Sequence, residues 1–156
     1  KVVLDTSGEG FGLALQAGPW MIKPNTDELS EYTGKPAGGP LEIARQARLL
    51  QREFNIHCVV VSMGKEGAIF AEGEEIVWAA PPPVEVKSTV GAGDAMAAGM
   101  VAAKIRGLSL AGCARLATAF SAAAVGRIGA GLPSAEAVEK AGEGVTLREQ
   151  FNLKPG

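Results

Sequence analysis

Apolar and polar positions along the chain follow two different periods. Short apolar runs of strand-forming residues lie at 1–5, 20–22 and 57–62, and two more flank Gly73-Glu74, which predicts a hairpin. Between 41 and 54 the apolar residues instead recur at helical spacing, with charged and amide side chains between them. The pattern therefore predicts strands separated by helices.

Further helices are predicted at 9–17, from near Asp94, at 110–125 and from 134 to about 140. The run at 57–62 is continuously apolar, which is typical of a strand buried on both faces of a parallel sheet. Strands alternating with helices predict an α/β domain with a mainly parallel sheet.

Ligands of parallel sheets collect beyond the carboxyl ends of the strands. The loops that begin at Asp5, Lys23 and Ser62 each leave the end of a predicted strand. We therefore expect these loops to line one crevice, together with the glycine-containing loop around Gly91.

Composition narrows the class of protein. With 156 residues, 47% apolar and 21% charged, the chain suits one globular domain. A net charge of −2 and 5% aromatic residues give no electrostatic or stacking platform for nucleic acid. The apolar windows are too short for a membrane span and no secretory leader opens the chain, so we expect a cytoplasmic protein without a membrane partner.

The chain offers few residues for zinc binding or disulfide formation. Cys58 and Cys113 are isolated, which fits a reducing compartment, and His57 is the single histidine, so we interpret it as structural. The first residues already form an apolar run without an initiator Met, from which we expect a piece of a longer protein.

The segment 88–99 couples a glycine-spaced turn to a run of small residues that favours a helix. The first turn of a helix leaves backbone N–H groups unpaired, so the amides of residues 92 to 94 are candidates to hold a phosphate. Gly91 and Gly93 allow close approach of the backbone. Asp94, at the start of this helix, is either a helix cap or a catalytic base, and the local pattern leaves both open.

A second polar segment follows the strand at 20–22. Asn25 precedes Glu28 by three residues, which is the spacing of a capping box after the strand-ending Pro24. The alternative is that Asn25 and Glu28 face a metal–phosphate cluster through water while Lys23 holds a phosphate. Both interpretations stay open at this point.

Taken together, these motifs resemble the C-terminal half of a ribokinase-like sugar kinase of the phosphofructokinase B family. The resemblance rests on the order and separation of five segments, at 5–8, 23–29, 59–68, 81–83 and 88–94. Further segments, at 17–20, 115–119 and 145–151, resemble the bacterial branch that phosphorylates fructose 1-phosphate. The resemblance implies a ribokinase-like three-layer α/β/α core, present here as its C-terminal portion over residues 1–156.

The resemblance also implies roles for individual residues, with ATP and Mg²⁺ as cofactors. Asp94 would be the general base, and Gly91, Ala92 and Gly93 would supply the anion hole. The implied nucleotide contacts are Lys23, Asn25, Ser62, Gly64, Gly67, Gly93 and Thr118, and the implied Mg²⁺ contacts, through water, are Asn25 and Glu28. Some relatives hold a monovalent cation such as K⁺, and the matching positions are Ser88, Val90, Ala124 and Gly129. Arg127, also at a matching position, is a poor ligand because its side chain is cationic.

The implied reaction is ATP-dependent phosphorylation of fructose 1-phosphate to fructose 1,6-bisphosphate. The family's sugar-binding residues and β-sheet lid belong to its N-terminal half and have no counterpart here, so we expect this chain alone to turn over poorly. Fructose 6-phosphate or tagatose 6-phosphate is the alternative substrate, and a noncatalytic nucleotide-binding module is the alternative function. The resemblance implies a homodimer for the full-length protein.

Overall fold

In the sheet, each strand lies next to the strands that precede and follow it along the chain. The computed structural model describes residues 1–6, 8–127, 132–149 and 151. The strands in this part are β1 (Val3–Leu4), β2 (Met21–Ile22), β3 (Cys58–Ser62), β4 (Ala68–Glu72), β5 (Glu75–Ala80) and β6 (Thr146–Arg148). The helices are α1 (Glu9–Leu15), α2 (Thr26–Thr33), α3 (Pro40–Phe54), α4 (Ala92–Ile105), α5 (Leu110–Val125) and α6 (Ala135–Glu143).

The sheet is mixed, which corrects the expectation of a mainly parallel one. β1, β2 and β3 run parallel, whereas β4, β5 and β6 each pair antiparallel to the preceding strand. A short turn at Gly64–Glu66 joins β3 to β4, and a tight turn at Gly73 joins β4 to β5. Connections this short leave no room for the crossover that a parallel pair requires. The predicted α/β class and hairpin are confirmed.

Helices cover both faces of the sheet, as the three-layer prediction required. Along β3, Cys58 and Val60 face the core shared with α4, α5 and α6, whereas Val59 and Val61 face the core shared with α1, α2 and α3. All four side chains are at most 1% exposed. The continuous apolar run of β3 is thus explained by burial on two faces.

α4 and α5 pack with unusually close backbones. A Cβ added at Gly99 of α4 would lie 2.8 Å from the Cα of Ala117 and 3.1 Å from the Phe120 side chain on α5. Only glycine fits such a distance, and the alanines of both helices extend the contact. This packing fixes the start of α4 relative to α5, and the candidate site lies there.

Predicted element ends differ from the observed ones by a few residues. The first helix ends at Leu15 rather than 17, α4 begins at Ala92 rather than near Asp94, and α6 continues to Glu143. The amphipathic pattern between 41 and 54 is confirmed as α3, which buries Ile43, Ala47 and Leu50. None of the helices in the described part of the chain has the length and hydropathy of a membrane span.

Candidate active site

The carboxyl ends of the three parallel strands meet at one edge of the sheet. Asp5 directly follows β1, Lys23 directly follows β2, and Ser62 ends β3. Beyond β2, Asn25 forms an isolated parallel bridge with Ser62, and the Ser62 N–H donates to the Pro24 carbonyl at 3.0 Å. The loops expected to share a crevice therefore do lie side by side.

The glycine-spaced loop ends in the first turn of α4. Gly91, the N-cap, has φ +80°, a conformation that favours glycine. The Ala92 N–H donates to the Thr89 carbonyl at 3.3 Å, so this amide is partly engaged. The amides of Gly93 and Asp94 have no acceptor among the described residues. Two of the three expected donors are thus available to an anion, at the positive end of the helix dipole.

Asp94 is the third residue of α4 and is exposed. Among the described residues its side chain accepts no hydrogen bond from the first-turn amides, and the N-cap position is that of Gly91. The carboxylate lies one residue from the available Gly93 amide. The described residues therefore do not support the first of the two interpretations of Asp94, that of a side-chain cap.

Lys23 brings a positive charge to the same place. Its side chain is only 6% exposed, and its Nζ lies 3.2 Å from Oδ2 of Asp5. A Cβ added at Gly93 would lie 3.0 Å from that Nζ. The ammonium therefore packs directly against the first turn of α4, beside the unpaired amides.

Asn25 and Glu28 form the capping box that their spacing predicted. The Asn25 side chain accepts from the Asp27 and Glu28 amides at 2.9 and 2.8 Å, and Oε2 of Glu28 accepts from the Asn25 N–H at 2.8 Å. Two donors occupy the Asn25 oxygen, which therefore suits a metal poorly, whereas Oε1 of Glu28 takes no part in the box. No cluster of three metal-ligating side chains occurs within the described residues. That is compatible with Mg²⁺, which is usually held by one or two carboxylates, waters and substrate phosphates.

A cavity of about 530 Å³ opens beside the anion loop. It holds seven of the residues proposed from the sequence: Asn25, Ser62, Gly64, Gly67, Ala92, Gly93 and Thr118. Most of the other lining residues are apolar: Pro81, Pro82, Pro83, Val84, Val86, Met96, Ala122 and Val125. An apolar cavity with a few polar groups, whose lining includes Gly93 with its available amide, suits a ligand with a flat apolar part and an anionic part.

One polar residue in the lining of this cavity has a buried hydroxyl. Thr118, on α5, is 1% exposed, and its hydroxyl makes no hydrogen bond within the described residues. Ser121, Ala122 and Val125 join it in the lining. Of these four positions only Thr118 was expected to contact the nucleotide, although their helical spacing was a signal that could have identified the rest.

Two positions of the expected cation site, Ser88 and Ala124, lie near the end of α5. Val125 accepts from the amides of Lys87 and Ser88 at 3.0 and 3.2 Å, which brings Ser88 next to the α5 turn that contains Ala124. Val90 is 86% exposed. The Arg127 guanidinium donates to the Leu132 carbonyl. Gly129, the remaining position of the expected cation site, lies outside the described residues.

A second charged cluster lies at the opposite end of the sheet. Glu72 pairs with the Lys104 ammonium and lies 3.5 Å from His57, whose ring stacks on Trp20 at 5.1 Å. Although burial by itself lowers the pKa of Lys104, the hydrogen bond and charge of Glu72 raise it above its ordinary value. These contacts tie helix to sheet and agree with a structural His57.

Comparison with known proteins now identifies the class. A sequence model described as "pfkB family carbohydrate kinase" matches residues 1–137, so the chain belongs to the pfkB family of carbohydrate kinases. The Escherichia coli phosphofructokinase-2 structure with potassium has a TM-score of 0.84 and 32% identity, over 90% of this chain and 46% of that one. The Arabidopsis thaliana ribokinase with ribose and ATP has a TM-score of 0.78 and 28% identity, over 91% and 47%. The ribokinase-like fold is thereby confirmed.

Among curated relatives, bacterial 1-phosphofructokinases are similar over almost the whole chain. The Rhodobacter capsulatus enzyme is 47% identical across 95% of this chain. The Vibrio cholerae enzyme is 35% identical across 98%. The chain spans slightly less than half the length of these relatives, 46% in both cases.

Proposed function

We propose that this chain is the nucleotide-binding and catalytic portion of an ATP-dependent sugar-phosphate kinase. The observation that carries the proposal is the grouping of three features around Gly93, which lines the cavity. These are the exposed Asp94, the Gly93 and Asp94 amides, which have no acceptor among the described residues, and the buried Lys23 ammonium. We call this chain, preceded by the N-terminal portion that its relatives carry, the completed kinase. The sugar pocket and lid belong to that N-terminal portion.

The phosphoryl-transfer step follows from these groups. Asp94 accepts the proton of the sugar hydroxyl as its oxygen forms a bond to the γ-phosphorus of ATP, and the bond from that phosphorus to the ADP oxygen breaks. The Gly93 and Asp94 amides and the Lys23 ammonium stabilise the charge on the transferred group. Because the amides are fixed by α4, they need no reorganisation during the reaction.

The cavity provides the rest of the nucleotide site. The prolines at 81–83 and the valines beside them offer an apolar surface to the base, and the unpaired Thr118 hydroxyl offers it a hydrogen bond. Ser62, Gly64, Gly67 and Asn25 also line this cavity. A bound Mg²⁺ supplies charge neutralisation of the phosphates, and Glu28 is the residue whose free carboxylate oxygen fits its water shell.

The cation and the assembly are further parts of the proposal. K⁺ would be held beside the anion loop by the carbonyl groups of Ser88, Val90, Ala124 and Gly129. Two observations support this site: the hydrogen bonds that join residues 87–88 to α5, and the potassium in the E. coli phosphofructokinase-2 structure. A homodimer of the completed kinase remains our expectation.

Fructose 1-phosphate is the proposed acceptor, with fructose 1,6-bisphosphate as the product. The support is the similarity to 1-phosphofructokinases. Fructose 6-phosphate is the second candidate, because an E. coli phosphofructokinase-2 complex with that sugar shares the fold at a TM-score of 0.81.

The test is a coupled ADP-release assay of the completed kinase with fructose 1-phosphate, fructose 6-phosphate and tagatose 6-phosphate, each with ATP and Mg²⁺. We expect the highest kcat/KM with fructose 1-phosphate and little turnover by this chain alone. ATP binding without turnover of any sugar phosphate would instead indicate a noncatalytic nucleotide-binding module. Full activity of this chain alone would contradict the division into two portions.

A further inference from the structure

Asp5 lies beside Lys23 because of the strand register. Leu4 pairs with Ile22 across β1 and β2, and the Lys23 N–H donates to the Leu4 carbonyl at 3.1 Å. The residues that follow these two, Asp5 and Lys23, therefore lie next to each other at the edge of the sheet. The proposed reaction gives Asp5 no role of its own.

Lys23 needs a counter-ion where it lies. Its side chain is 6% exposed, and burial of an unpaired ammonium is costly. The Asp5 carboxylate, 3.2 Å from Nζ and 35% exposed, supplies the opposite charge. The ammonium also lies next to Gly93, where an added Cβ would be 3.0 Å from Nζ. The end of a flexible four-carbon side chain thus contacts both a carboxylate and the first turn of α4.

We propose that Asp5 is a positioning residue, whose carboxylate holds the Lys23 ammonium against the phosphate-binding turn of α4. The inference rests on the proposed function, since it assumes that Lys23 meets the terminal phosphates of ATP there. Lysine carries a compact charge on a mobile side chain, so its contribution to phosphoryl transfer depends on being kept in place. Asp5 acts through Lys23 and does not touch the nucleotide.

The test compares Asp5→Asn and Asp5→Glu in the completed kinase. We expect Asp5→Asn to lower kcat/KM for ATP by about ten- to a hundredfold, the range expected when a phosphate-binding group is misplaced by roughly 1 Å. Adenosine affinity should not change, because adenosine lacks phosphates, and Asp5→Glu should recover most of the loss. Glu31→Gln, which removes an exposed carboxylate from α2, is the control.

Unchanged kcat/KM in Asp5→Asn would overturn the inference. So would tighter ATP binding, since it would mean that Asp5 competes with phosphate for Lys23. An equal loss of adenosine and ATP affinity would show a merely structural role. If wild-type completed kinase phosphorylates no sugar, the proposed function fails as well, whereas active wild type with an unaltered Asp5→Asn variant refutes this inference alone.

A double variant keeps the test decisive if Asp5→Asn alone does not fold. Lys23→Met combined with Asp5→Asn removes both charges of the pair and leaves no unpaired ion. If Asp5 acts through Lys23, adding Asp5→Asn to Lys23→Met should cause no further loss of kcat/KM. If instead the fold-losses in kcat/KM of the two single variants multiply in the double variant, Asp5 acts independently of Lys23 and the inference is overturned.

Discussion

Replacing Gly67 by alanine should destabilise the protein strongly, although the change adds one methyl group. Gly67 has φ +90° and ψ −132°, a conformation close to glycine-only backbone. A Cβ there would lie 1.9 Å from the Ala79 carbonyl oxygen and 2.8 Å from the Cα of Ala80. Ordinary contact begins at 3.4 Å, so β4 and β5 would have to separate by about 1.5 Å at this point.

The expected cost combines two effects. The backbone conformation costs a non-glycine residue about 1–3 kcal/mol. Separating the strands weakens the pairing of Ala68 with Ala79, at about 1 kcal/mol for each hydrogen bond lost. We therefore expect a loss of about 4 kcal/mol, which is a large fraction of the stability of a typical domain.

Gly73→Ala is the matched control, because Gly73 also has a positive φ, +55°, but has no heavy atom within 4 Å of an added Cβ. It should cost only about 1–2 kcal/mol for the left-handed conformation. The measurement is urea denaturation of the completed kinase and both variants, followed by circular dichroism. Equal midpoints for Gly67→Ala and Gly73→Ala would refute the steric reasoning.

Two further predictions concern buried groups. Thr118→Val should weaken ATP binding severalfold without destabilising the free protein, because it removes a buried hydroxyl whose hydrogen bond to a ligand is worth about 1 kcal/mol. Calorimetric titration with ATP measures the affinity, and an unchanged value would contradict the assignment of Thr118 to the nucleotide. Burial raises the pKa of the Cys58 thiol far above its ordinary value, and the nearby Glu72 raises it further, so Cys58 should react with iodoacetamide at pH 8 only after unfolding. Peptide mass spectrometry measures the labelling, and rapid modification of the native protein would contradict the burial of Cys58.

Local sequence signals predicted the parts of the site that depend on neighbouring residues. The capping box of Asn25 and Glu28 needs only a three-residue spacing and the end of a strand. The turn at Gly91 follows from glycine spacing, and the shared edge of Asp5, Lys23 and Ser62 follows from β1 to β3 being parallel.

Features set by long-range contacts could not be read from the sequence. The Asp5–Lys23 pair depends on the register of β1 against β2, which no local pattern fixes. Gly67 resembles a ligand-contacting glycine in the sequence, and its close approach to the Ala79 carbonyl emerges only when β4 pairs with β5. The antiparallel pairing of β6 with β5 was not predicted, because β6 has three residues and shows no pattern of its own.

The role of Asp94 as general base is the central claim, and the rate of the chemical step in an Asp94→Asn variant of the completed kinase tests it most directly. Asparagine keeps the shape of the side chain but cannot accept the sugar proton. We expect single-turnover phosphorylation of fructose 1-phosphate to slow by about two to four orders of magnitude, with ATP affinity nearly unchanged. A rate within a few fold of wild type would contradict the claim and would assign proton removal to another group.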